Sequence, residues 1–120
     1  MQPDSHSLVW MPEGAFARGI AHRASADEAA ILQAVQRPIA LRCVQEKANV
    51  PGWKTRPSWF LIAEQDRMIA PGTQHFMAER MGATIRARDV DHSPMYTAPQ
   101  VAIDVILEAA RATLGSQHGV

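Results

Sequence analysis

The sequence predicts an α/β chain, with a helical segment over residues 1–50 and an α/β segment over residues 51–120 built on two parallel strands with helices. Three observations carry this expectation. Ser58 to Ala63 is apolar on both faces, as befits a strand in a parallel sheet covered on each side. Beyond Trp53 the pattern runs strand, helix, strand, helix with short connections, which belongs to a parallel sheet and not to a hairpin. Before Trp53 the apolar residues recur at helical spacing behind capping signals.

Taken in order, residues 1–7 are polar and expected to fray. Leu8-Val9-Trp10-Met11 is a short apolar run ended by Pro12, and a weak helical pattern follows through Phe16 and Ile20. Ser25-Ala26-Asp27-Glu28 reads as a capping box, in which the serine hydroxyl and the glutamate each satisfy a free backbone N–H. Behind it, Ala29, Ala30, Leu32, Ala34 and Val35 are good helix formers or acceptable core residues. Pro38 breaks that helix and suits the first turn of another, where its missing N–H costs nothing. This second helix covers Ile39 to Ala48 and stops at Asn49-Val50-Pro51-Gly52.

The first strand of the second segment, Ser58 to Ala63, gives way to a helix opened by Pro71-Gly72-Thr73. Phe76, Met77, Arg80 and Met81 recur there at three- and four-residue spacing, and Gly82 is placed to cap its end. A second strand covers Thr84 to Val90. Thr97-Ala98-Pro99-Gln100 reads as another capping box, before a helix that carries Val101, Val105, Ile106, Ala109 and Leu114 inward. Gly115 to Val120 reads as a tail.

At 120 residues the chain is one domain or less, and its apolar and charged fractions of 47% and 20% belong to ordinary globular proteins. Twelve basic residues balance twelve acidic ones, which leaves no broad charge footprint for nucleic acid or an anionic membrane. No run approaches the roughly 18 apolar residues of a membrane span. The start has neither the basic nor the apolar region of a signal peptide, and the lone Cys43 forms no internal disulfide, so a cytoplasmic protein is expected.

Asp66 and His92 are the candidate catalytic residues. Each follows the end of a predicted strand, with one helix between them, and parallel sheets place active residues at such carboxyl ends. An acid there can fix the tautomer of a histidine on the neighbouring strand, whose other nitrogen then serves as general base. The alternative is that Asp66 only caps its turn and His92 is an ordinary loop residue. Glu64 points away from Asp66 by strand alternation, and Asp89 and Asp91 sit too near His92 in sequence to orient its ring. His6, His22, His75 and His118 have no metal-ligand spacing and read as surface residues, so neither metal nor cofactor is expected. Cys43 sits in a predicted helix as a small buried hydrophobe, and none of Ser5, Ser7, Ser25, Ser58, Ser93 and Ser116 has the flanking glycines of a G-x-S-x-G turn. No nucleophile is therefore apparent in these residues. Trp10, Trp53, Trp59, Phe60 and Phe76 read as packing residues.

The segment Lys54 to Ile69, with its core Trp59-Phe60-Leu61-Ile62-Ala63-Glu64-Gln65-Asp66, resembles the seventh-strand region of α/β-hydrolases. Phe76-Met77-Ala78-Glu79-Arg80-Met81-Gly82-Ala83 resembles the helix that follows it in the branch of plant methyl esterases and hydroxynitrile lyases. Val90-Asp91-His92-Ser93-Pro94-Met95 is similar to the histidine loop after the eighth strand. The likeness covers residues 37–110, and residues 8–36 resemble the later part of a helical cap. It implies the C-terminal portion of such a fold, Asp66 as triad acid, His92 as triad base, and ester-type hydrolysis of a small apolar ester substrate. The early strands, the oxyanion-hole loop and the nucleophile elbow have no counterpart in this sequence. Ser93 stands where hydroxynitrile lyases carry lysine, which favours the esterase side. Activity of the chain alone is accordingly not expected. Association with a partner, or self-association through an exposed strand edge, is the alternative way for it to work.

Overall fold

The computed structural model describes residues 2–115. Its elements are β1 (Leu8–Val9), a π-helical turn (Phe16–Ile20), α1 (Ala26–Ala34), β2 (Ile39–Ala40), α2 (Leu41–Gln45) and a 3-10 turn (Gly52–Lys54). There follow β3 (Trp59–Ala63), α3 (Pro71–Met81), β4 (Thr84–Arg88), α4 (Pro94–Thr97) and α5 (Pro99–Leu114). Ser116 and His118, with the rest of the tail beyond Gly115, lie outside the described residues.

β3 and β4 pair in parallel, from Trp59 opposite Thr84 to Ala63 opposite Arg88. A parallel pair needs a crossover, and α3 supplies it. Pro71 sits in its first turn and Gly82 ends it in the left-handed conformation at φ 61°, with its N–H bonded to the carbonyls of Ala78 and Glu79. Beyond β4 the chain turns through α4 and returns along α5, which packs on both α4 and β3. Trp59 donates its indole N–H to Glu108 at 3.2 Å, and Arg86 pairs with the same carboxylate from β4, so both strands are tied to α5.

Several local expectations are corrected. The helix expected from Pro38 is mostly absent: Ile39–Ala40 is extended and pairs antiparallel with Leu8–Val9, leaving only Leu41–Gln45 helical. The long-range pairing wins because Leu41 N–H also bonds the Ser7 carbonyl, so Pro38 leads into a strand and not a helix. Residues 4–8 form a bonded turn where fraying was expected, since Asp4 accepts the N–H groups of His6 and Leu8 and the Trp10 indole. The Ser25–Glu28 capping box forms as expected. The one at Thr97 does not: α5 starts at Ala98 with no side-chain cap, because the Thr97 hydroxyl is bonded to Asp91 and to the Ser93 carbonyl. Cys43 is exposed, since α2 ends within a turn of it and packs no face over it.

The helical apolar stripes are only partly covered. On α3 the buried pair is Gln74 and Ala78, while Phe76 is 63% exposed. On α1 only Ala29 is buried, and on α5 no residue is, with Ile106 at 66% exposed and Leu114 likewise on the surface. The buried apolar set is small, mainly alanines with Ile62 and Val90. The radius of gyration is 16.9 Å, against about 14 Å for a compact domain of this length. The accessible surface is 8717 Å², against about 6,400 Å² for a folded monomer of this mass. By both comparisons the chain is less compact than a folded domain of its length.

Candidate active site

The site lies at the carboxyl ends of β3 and β4. Asp66 N–H bonds the Ala63 carbonyl at 3.1 Å, which closes a turn directly after the strand. Its two carboxylate oxygens then divide the work. Oδ1 accepts the backbone N–H groups of Met68 at 2.7 Å and Ile69 at 2.9 Å, an Asx turn that fixes the loop into α3. Oδ2 lies 2.8 Å from Nδ1 of His92 and accepts Nε2 of Gln74 at 2.8 Å. Asp66 therefore caps its own turn and also partners His92, which is not the isolated loop residue of the alternative.

The Asp66 side chain is 4% exposed and that of His92 33%. Burial opposes ionisation of Asp66, but the Ile69 N–H, the His92 ring and the Met68 N–H together outweigh it and hold the carboxyl below its ordinary range. An ionised carboxylate is acceptor-only, so Nδ1 carries the proton and Nε2 is left as the basic nitrogen. Nε2 has no hydrogen-bond partner among the described residues, and His92 borders an open cleft.

The histidine loop is held by a second aspartate. Asp91 is fully buried, and its carboxylate accepts the N–H of Ser93 at 3.1 Å, the hydroxyl of Thr97 at 2.5 Å and the N–H of Arg23 at 3.1 Å. Burial again works against its charge, while Thr97, Arg23, Ser93 and the nearby His22 outweigh that and keep its carboxyl low. Arg23 also pairs through its guanidinium with Asp89 at 2.8 Å. The turn before α1 is thus pinned to the loop that carries His92. His22 is correspondingly half-buried, with Nδ1 out of solvent and unpartnered, and is not the surface residue expected.

Of the residues weighed from sequence, Asp66 and His92 are brought together, whereas Glu64 is exposed. Gln74 and Asp91 were missed. Gln74 is a polar residue one turn before the buried Ala78 on the inward face of α3, and that spacing was the available signal. Asp91 was set aside because it adjoins His92. Its role is to bond the loop's backbone and not the ring, and the downstream Ser93 and Thr97 were the signal. Among the described residues no group of three or more His, Cys, Asp or Glu side chains is gathered as a metal ion needs.

Beside the pair lies a cleft of about 310 Å³, bordered by Phe60, Ile69, Met77, Pro94, Met95 and Ala102. Its volume falls in the lower part of the range of small-molecule sites, and its walls are apolar apart from Asp66, Gln74 and His92. An acid at one strand end and a histidine at the next is the order in which the last two triad members occur in α/β-hydrolases. The sequence profile of the alpha/beta hydrolase family matches residues 2–105, most of the chain, and the protein belongs to that family. No curated protein gives a match. Among the described residues no helix is long and apolar enough to cross a membrane.

Proposed function

We propose that this chain carries the acid–base half of an ester-hydrolysing site for a small apolar substrate, on the methyl esterase side of the family. The observation that carries the reading is the 2.8 Å contact between Asp66 and Nδ1 of His92 beside an apolar cleft. Asp66 holds the ring in one tautomer, and Nε2 takes the proton of a hydroxyl nucleophile and returns it to the departing alcohol. Ser93 next to His92, in place of a lysine, supports hydrolysis over cyanohydrin cleavage.

Two parts of the reaction have no counterpart in these 120 residues: a nucleophile on a strained turn and the oxyanion donors beside it. The chain alone is therefore expected to be inactive. An activated aryl ester should hydrolyse at the buffer rate in its presence, and turnover that disappears in His92→Ala would overturn this. The substrate class has its own test. A short alkyl ester should shift the methyl NMR signals of Met77 and Met95, which border the cleft, and leave that of Met11 in place. Uniform shifts, or none, would remove the support for a small apolar ester.

A second reading is favoured by the exposed apolar surface: a non-catalytic chain that works by association, with another copy of itself or with a partner, through the open side of β3. Among the described residues the β3–β4 sheet has two strands, so the outward backbone groups of Trp59 and Leu61 have no ladder partner there. Sedimentation at micromolar concentration distinguishes the readings. Dimers or larger species are expected, and a sharply melting monomer that binds no hydrophobic dye would overturn it.

A further inference from the structure

We infer that Gln74 is a positioning residue that locks Asp66 into the orientation His92 requires; this rests on reading those two residues as acid and base. Gln74 projects from the first turns of α3 and is 5% exposed. An amide buried so deeply is tolerated only when its polar atoms are bonded. Here they are: Oε1 accepts the Ala63 N–H at 3.0 Å, while Nε2 donates to Asp66 Oδ2 at 2.8 Å and to the Ile69 carbonyl at 2.8 Å. The amide cannot be turned over, because that would set its NH₂ against the Ala63 N–H and its oxygen against both a carboxylate and a carbonyl.

This arrangement determines what Asp66 can do. A carboxylate offers about four acceptor positions. Met68 and Ile69 take two on Oδ1, and Gln74 and His92 take two on Oδ2. All four positions are occupied, which favours the anion and holds the carboxylate against the ring. Without Gln74, Oδ2 would have a free acceptor position beside an open cleft, where water would compete with the imidazole. Gln74 also occupies the last outward N–H of β3, that of Ala63, so a strand added to that edge would stop at Leu61, short of the acid. One side chain thereby ends the ladder and orients the acid.

The test is the NMR signal of the His92 Nδ1 proton in the full chain. Gln74→Met keeps the side-chain length and removes both bonding functions. Gln74→Glu keeps an acceptor for the Ala63 N–H and replaces the donor to Asp66 by a second carboxylate oxygen. Both variants should exchange the Nδ1 proton with water about tenfold faster or more, as loss of a charge-assisted hydrogen bond implies. The Ser93 amide, bonded to Asp91 on the other side of the loop, should keep its protection. An unchanged Nδ1 exchange rate in a folded variant would overturn the inference. So would parallel loss of protection at Nδ1 and Ser93, or unfolding of both variants, since either assigns Gln74 a general structural role. Absence of the Nδ1 signal from the unsubstituted chain would instead overturn the acid–base reading on which this rests.

Discussion

The carboxyl ends of β3 and β4 and the outer side of β3 belong to the same two-stranded sheet, yet they are finished very differently. At the strand ends the polar side chains that fix the two loops all have partners: Asp66 accepts four donors, Asp91 three, and Gln74 uses both ends of its amide. Along the outer side of β3, the backbone groups of Trp59 and Leu61 have no ladder partner among the described residues, and only the Ala63 N–H is bonded, by Gln74. The other margin of the sheet makes the contrast sharper. The outward carbonyls of Ile85 and Ala87 on β4 accept Nη1 of Arg86 and Arg88, both at 2.8 Å, so charged side chains occupy that edge. Blocking an edge with charge is how sheets avoid pairing with strangers. The β4 edge is blocked by charged side chains, whereas the β3 edge is blocked only at Ala63. Short-range hydrogen bonds can fix the two loops without a large core around them.

The largest effect expected from breaking this contrast comes at Asp91. Replacing it by alanine strands three donors in a buried place and releases the turn at Arg23, at a cost of about 3 kcal/mol in urea unfolding. If the loss were within 0.5 kcal/mol, the strand ends would not be the better-finished region. Acid should act on the same groups more gradually. Asp66 and Asp91 both have native pKa values below the ordinary range, so their stabilisation is full above the unfolded value of about 3.9 and is lost as pH falls through the lowered native values. Melting temperatures measured from neutral pH downward should hold until that range and then drop. In the double variant Asp66→Asn, Asp91→Asn the part of the drop due to these groups should vanish.

The open side is tested by smaller changes. The Ser58 carbonyl and the Glu64 N–H both bond to β4, so the backbone of Leu61, at an odd position between them, faces outward. Leu61→Pro thus removes no bond between the strands, and it should lower the associated fraction seen by sedimentation. Unchanged association would place the contact elsewhere on the molecule. Arg88→Ala is the mildest change, because it frees one carbonyl at the blocked edge and should alter stability by no more than about 0.5 kcal/mol. Association should rise slightly. A fall would mean that Arg88 itself takes part in the contact.

Much of the second half was legible in the sequence because its signals are local. The two-sided apolar run at Trp59 to Ala63, the glycine ending α3 and the strand–helix–strand order all act within a few residues of themselves. The pairing of Asp66 with His92 was legible for a related reason, since two successive parallel strands must set their ends side by side. In the first half, local grammar misled. Pro38 followed by Ile39-Ala40-Leu41 suits a helix, but Leu8 and Val9 lie within reach and draw it into a strand.

By itself, the sequence determined the strand–helix–strand–helix order of residues 58–115, though not the short α4, and that an acid and a histidine follow adjacent strands, because periodicity and chain order act without reference to the rest of the molecule. Only the tertiary structure decided which lone pairs those residues use. Gln74 reaches Asp66 across the start of α3, Asp91 meets Arg23 from a segment 68 positions earlier, and Thr97 bonds that carboxylate and leaves α5 without a side-chain cap. Such bonds depend on where distant backbone lies in space, and a linear pattern of residue types carries no record of it.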